Sequence, residues 1–328
     1  MILVENTATR ENYNSIDLLK LICAFLVVGI HTEPFGAWEI FDRGFGIITR
    51  CAVPVFFMVS SFLFFKKRPD RNKLVSYVLR VFYMYIFWIA VYVLLNIKDE
   101  SGEFFILNVF KGGGYSSLWF LQALLVSVPL VFLLNHMIKN KKVVCVVCIV
   151  LYLAGLIFGT YYVIFSRFVI VKTIYNSSIL TYIGTRNGVF YAPIYISLGL
   201  LVADHSYVIK RRTAMIGMLV SLVLLVAETL LGVVVLGVTS TIMWVMMIPL
   251  VYFIFHFTIS FNLKENKVYY IIRKMSTGVY VTHRICMKAL HFLSGPLFYV
   301  GVLLLSCAIS FIFAIIPRDK VKFLKYIC

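Results

Sequence analysis

Residues 213–237 read TAMIGMLVSLVLLVAETLLGVVVLG and hold one charged side chain, Glu228. A helix needs about 20 apolar residues to cross the hydrocarbon core of a bilayer, so this run reads as a membrane span. Residues 143–164, VVCVVCIVLYLAGLIFGTYYVI, read the same way with no charge at all. Working outward, eight more apolar runs emerge, at about 16–35, 44–65, 74–96, 117–136, 187–204, 240–261, 269–291 and 296–316. The run at 269–291 is the weakest of the ten, because it carries Arg273, Lys274, His283, Arg284, Lys288 and His291.

The whole chain agrees with these runs. Of 328 residues, 62% are hydrophobic and only 14% charged, with a mean hydropathy of +0.95. Soluble domains are nearer half apolar and a quarter charged, and disordered chains are poorer still in apolar residues. The expected fold class is therefore all-α: a polytopic membrane helical bundle of about ten transmembrane helices, forming a single integral-membrane domain over 1–328. The seven cysteines are odd in number and lie mostly in apolar runs, which does not suit a disulfide framework. Cys145-x-x-Cys148 lies in VVCVVCIV without a second pair or a nearby His. No metal is expected. No P-loop, nucleophile elbow, HExxH or dinucleotide fingerprint occurs.

Lys and Arg number 31 against 14 Asp and Glu, a net +17. Alternate connections carry this excess: Lys66, Lys67, Arg68, Arg71 and Lys73; Lys139, Lys141 and Lys142; Lys210, Arg211 and Arg212; Lys264, Lys267, Arg273 and Lys274; then Arg318, Lys320, Lys322 and Lys325. The other set is mixed, acidic or uncharged. The positive-inside rule then places both termini in the cytoplasm, with a polar tail at 1–15 and a basic tail at 317–328. It also accounts for most of the charge with no nucleic-acid partner. The polar start and the absence of a small-residue cleavage site predict a retained first span rather than a signal peptide. The longest connection, 161–186, is aromatic and polar, and is expected outside, as an ordinary loop or a cover over an outer cavity.

Ionisable groups inside spans are costly, so each is a candidate for function. In the first span Lys20 and His31 lie eleven residues apart. At 100° per residue the rotation is about 1100°, within about 20° of one helix face, and the rise is about 16 Å. Asp17 lies close to that face. The plain alternative is a snorkelling Lys and an interfacial His. Arg50, Trp119 and Arg186 are placed at the outer ends of their spans by topology. Glu228 must pair across the bundle, with one of those arginines on this reading, or be protonated; a structural ion pair is its plain alternative. Trp119 alone is otherwise an aromatic-belt anchor, and Arg80 otherwise a positive-inside charge. An Arg at that depth also suits the phosphates of a nucleotide-bearing ligand.

These residues carry a family resemblance. IDLLKLICAFLVVGIHT resembles the opening of the acyltransferase-3 membrane family, in which a basic residue, ten residues and a His mark the first span; here they are Lys20, where Arg is usual, and His31. RCAVPVFFMVSSF is similar to the second-span motif, with Ser61 where Gly is usual. SLWFL, RNGVFYAPIYISLGLL and MSTGVYVTHRICM resemble later signatures, the last carrying Ser276, Tyr280 and His283. The blocks follow in family order. Of the family's two-arginine motif after the second span, YVLR keeps only Arg80, with Tyr77 in the other place.

The resemblance implies an O-acyltransferase in a bacterial cytoplasmic membrane. Acetyl-CoA or another acyl-CoA would be the donor, bound from the cytoplasm. The acceptor would be a hydroxyl of a cell-surface or lipid-linked glycan outside. His31 and Arg50 would be catalytic, with His31 as base or acyl relay. Asp17, Lys20, Arg80, Trp119, Arg186, Glu228, Ser276, Tyr280 and His283 would bind donor or acceptor. An imidazole suits the removal of a hydroxyl proton near neutral pH, and Arg50 or Trp119 would supply donors to the oxyanion. Relatives also form the membrane portion of vancomycin-resistance serine racemases. That leaves a transporter-like module for a small amino acid such as serine, or a membrane scaffold, as alternatives.

Overall fold

The computed structural model describes residues 13–36, 38–97, 117–177, 180, 184–203, 209–238 and 243–316. The tails and the acidic connection after the third span lie outside these residues. In chain order the helices are α1 (Asn14–Thr32), α2 (Glu39–Thr49), α3 (Ala52–Phe65), α4 (Arg71–Leu94), α5 (Trp119–Ile138), α6 (Lys141–Phe158), α7 (Tyr162–Phe165), α8 (Val169–Ser177), α9 (Ala192–Val202), α10 (Arg211–Leu230), α11 (Met247–Ile259), α12 (Lys267–Ala289) and α13 (Gly295–Ile315). No strand occurs among the described residues. A π turn, Leu231–Val235, extends α10.

Seven helices are long and apolar enough to cross a membrane: Asn14–Thr32, Gly44–Phe65, Arg71–Leu94, Trp119–Ile138, Lys141–Phe158, Arg211–Val235 and Gly295–Ile315. The sequence predicts ten, and the other three differ for physical reasons. The runs at 187–204 and 240–261 yield only α9, 11 residues, and α11, 13 residues. At 1.5 Å per residue these span about 16 and 20 Å, less than the roughly 30 Å core. Turns at 188–191 and 245–246 precede these two helices within their runs. α12 has the length, 23 residues, but its cations lower its hydropathy.

The interior is built by α3, α9, α1 and α12. α3 is apolar all round and is buried along nearly its whole length, as a helix enclosed by others must be. It crosses α9 where Gly199 lies: a Cβ there would come within 2.5 Å of the Met58 carbonyl. Small residues let membrane helices approach closely where no hydrophobic force drives them together. Ser61 donates to the Ile196 carbonyl at the same crossing, so the Ser in a Gly position adds an interhelical bond. Gly278 does the equivalent between α12 and α13, against Ser310. α10 and α13 lie outermost and turn Val223 and Leu304 outward. Asp70, Asn140 and Asn266 cap α4, α6 and α12 through backbone N–H groups of Lys73, Lys142 and Val268.

Candidate functional site

α1 carries polar groups toward two places, one at each end. At its first turns, Asp17 and Lys20 line a cavity of about 570 Å³ with residues of α3, α4 and α12. Lys20, Lys67, Lys73, Arg80 and Arg273 bring five cations to this cavity, against the single carboxylate of Asp17. Tyr77 lines the same cavity. Asp17 is held by Arg273: Nε donates to both carboxylate oxygens at 3.0 and 2.9 Å, and Nη2 to Oδ2 at 2.8 Å. This fork geometry satisfies a carboxylate that is only 4% exposed. Asp17 therefore fixes α1 to α12, and no hydrogen bond ties Lys20 to it. Lys20 lies within electrostatic reach of both partners.

At the other end of α1, the His31 ring stacks on His283 of α12, with centroids 5.2 Å apart and 23° between planes. His283 is fully buried, and its Nδ1 lies 2.6 Å from the Tyr280 carbonyl. Tyr280 is buried and donates to the Ser117 carbonyl, which joins α12 to the start of α5. Trp119 opens α5 and packs edge-on against Phe57 and Tyr191, at 5.8 and 5.6 Å. The Arg186 guanidinium lies over its ring, 4.2 Å from the centroid. Trp119 is thus a buried platform and not a belt residue. Arg186 and Arg284 lie within electrostatic reach of His31, and Arg186 also of Tyr191 and Tyr280.

Arg50 stands slightly apart. It lines a second cavity of about 290 Å³ with Gly29, Glu33, Thr229 and Trp244. Tyr191 and Glu33 are in its electrostatic reach, so Tyr191 links it to Arg186. Ser276 is buried and bonds back to the Arg273 carbonyl at 3.0 Å. It joins neither imidazole by a hydrogen bond.

Glu228 does not meet an arginine. Tyr161 donates to its Oε1 at 2.5 Å, Val245 N to Oε1 at 2.8 Å and Met246 N to Oε2 at 2.8 Å. The carboxylate thus meets the backbone N–H groups just before α11, where a helix start favours negative charge. It ties α10 to α11 and to the connection after α6. These three bonds stand where the sequence expects a pairing with an arginine.

The sequence reading treats Arg273 as a loop cation and passes over Tyr191. One signal pointed to Arg273: with Ser276, Tyr280 and His283 it falls at i, i+3, i+7 and i+10, one face of a helix. Among the described residues no group of His, Cys, Asp and Glu has the makings of a metal site.

The family model described as an acyltransferase domain, acyltransferase-3, matches residues 13–316. The chain belongs to this family. The match takes in both polar ends of α1 and the full set of helices from α1 to α13. Two curated relatives from Enterococcus faecalis, each called an amino-acid racemase, are 29% and 28% identical over 60% and 62% of this chain and over 29% and 31% of their own length. A serine/alanine racemase from Enterococcus gallinarum is 27% identical over 65% of this chain and 32% of its own. The chain spans about a third of these relatives. No solved structure matches.

Proposed function

We propose that the chain is an O-acyltransferase of the bacterial cytoplasmic membrane, with ten spans and both termini inside. It takes an acyl group, acetyl in the simplest case, from cytoplasmic acyl-CoA and passes it to a hydroxyl of a cell-surface or lipid-linked glycan. One observation carries this reading. A single helix, α1, lines a cavity of five cations at one end and presents a stacked imidazole pair at the other. The separation of Lys20 and His31 is about 16 Å.

The cationic cavity suits the phosphates of CoA, since charge-assisted bonds from Lys and Arg are the strong ones for phosphate. Lys20, Lys67, Lys73 and Arg80 would hold them, since Arg273 is already paired with Asp17. CoA bound there would extend its arm along α1 toward His31. At the outer centre His31 handles the acyl group. Arg186, set on Trp119 beside it, is the group best placed to meet the oxyanion, with Arg50 farther off. The donor, the acceptor and these roles are tested together by label transfer from acyl-labelled acetyl-CoA in membranes, with Lys20→Ala and His31→Ala as controls. His31→Ala should lose transfer, and Lys20→Ala should need more acyl-CoA to reach the same rate.

The racemase names of the relatives support a second reading, a module that handles a small amino acid such as serine. The cytoplasmic cavity favours the first, because five cations and one paired carboxylate suit a phosphorylated ligand and not a zwitterion. Serine uptake by vesicles containing the protein separates the two.

A further inference from the structure

Among the described residues, four buried side-chain atoms have no hydrogen-bond partner: both ring nitrogens of His256, Nε2 of His283 and the Ser310 hydroxyl. In hydrocarbon surroundings an unmet polar group is costly, so each asks for a reason. Ser310 lies against Gly278 at a tight helix crossing. His256 sits among aromatic rings, Tyr252 and Phe255, and both of its nitrogens are bare. His283 differs from both. One nitrogen is fixed and the other is free, and the ring lies against His31.

The fixed nitrogen determines the tautomer. A carbonyl oxygen only accepts, so Nδ1, at 2.6 Å from the Tyr280 carbonyl, must carry the proton in the neutral ring. Nε2 is then an unprotonated lone pair. It has no protein partner, and the groups around it are cations and rings: Arg284 is in electrostatic reach, His31 is stacked on it and Tyr280 lies 6.2 Å away between centroids. Tyr280 cannot fill the need, because its own hydroxyl is committed to the Ser117 carbonyl. A lone pair held this way lacks a donor, and a hydroxyl is the donor the reaction supplies once the buried His283 ring opens to it.

The geometry points to His283 as the base that takes the proton of the acceptor hydroxyl, with His31 as the neighbouring imidazole that carries the acyl group. This rests on the acyltransferase reading. In the first step a His31 ring nitrogen attacks the thioester carbonyl. The N–C bond forms, the C–S bond breaks, and CoA leaves as a thiolate that takes a proton from water. In the second step the acceptor oxygen attacks the same carbonyl. The O–C bond forms, the N–C bond breaks and returns its electron pair to His31, and the hydroxyl proton passes to His283 Nε2. His283 then gives that proton to water. Stacked imidazoles repel when both are charged, so the proton must leave His283 before the next acyl group charges His31.

The test divides the two steps. His283→Asn keeps an amide N–H for the Tyr280 carbonyl and removes Nε2, so the helix contact survives. Membranes containing the variant, wild type or His31→Ala are given acetyl-CoA labelled on the acetyl group. Label is followed on the protein and in the outer glycan fraction, with thermal stability of the purified protein measured alongside. A base contributes about 10²–10⁴-fold. The expected result is a loss of at least about 100-fold in label reaching glycan, with label accumulating on the His283→Asn protein and none on His31→Ala. Undiminished transfer to glycan by His283→Asn overturns the assignment and leaves the acyltransferase reading standing. Loss of both labels in a stable His283→Asn protein also overturns it, since a base for the second step cannot affect the first. Absence of transfer by wild type brings down the underlying reading instead.

Discussion

Glu228 separates scaffold from site. Its carboxylate accepts from Tyr161, Val245 N and Met246 N at 2.5, 2.8 and 2.8 Å. Bonds to a charged group contribute about 1.5–3 kcal/mol each. In Glu228→Gln the one remaining carbonyl oxygen keeps the Tyr161 and Val245 bonds. The new amide nitrogen opposes Met246 N–H, so one charge-assisted bond is lost and one donor is left unmet. The expected cost is about 1.5–3 kcal/mol. Glu228→Ala removes both acceptor oxygens, and with them all three bonds, and should cost about 3–4 kcal/mol, less than the sum, because the bonds share one carboxylate. Tyr161→Phe should cost about 1 kcal/mol. Thermal unfolding of the purified variants in one detergent, with transfer activity measured well below the transition, reads both quantities. The expected pattern is graded destabilisation with near-normal activity per folded molecule. Wild-type stability with abolished activity in Glu228→Gln would refute the structural assignment and return this residue to the reaction.

Lys20→Ala and Arg80→Ala should each raise the KM for acyl-CoA about 10-fold, one lost phosphate contact of roughly 1.5–2 kcal/mol, with a weaker salt dependence; unchanged KM in both would move the donor elsewhere. Asp17→Asn should destabilise by about 1–3 kcal/mol because Arg273 keeps a third of its surface in water, and a double-mutant cycle with Arg273→Gln should show the two changes to be strongly non-additive. Gly278→Val should cost about 1–3 kcal/mol by overpacking, since its Cβ would lie 2.7 Å from that of Ser310, whereas Gly46→Ala, with nothing within 4 Å, should cost less than about 1 kcal/mol; equal costs would put the α12–α13 crossing in the wrong place.

Much of the architecture was legible because lipid imposes a simple rule on sequence. A span facing hydrocarbon must be a long apolar helix, and residues 143–164 and 213–237 could be nothing else. α9 and α11 were overestimated because a helix enclosed by other helices need not match the bilayer thickness, and the apolar runs around them also cover the turns. α12 was the reverse case: its cations weaken the signal, yet Arg273 is paired and Lys274 donates to the Ala314 carbonyl at 2.7 Å. The candidate residues were found by their cost in lipid, which singles out His31, Lys20, Arg186 and Glu228 alike. Cost alone does not say which of them is satisfied. Asp17 finds its partner 256 residues away, and Glu228 finds backbone N–H groups that carry no sequence signature. The stacking of His31 on His283 likewise joins α1 to α12, and only the packed fold reveals it.

The most direct test of the central claim is the transfer of label from acetyl-CoA, labelled on the acetyl group and kept on the cytoplasmic side, into the glycan fraction on the outer side. Membranes with the wild-type chain should move the label, and membranes with equally stable His31→Ala should not. Equal labelling by the two, or serine uptake by wild-type vesicles with no label moved, would contradict the account.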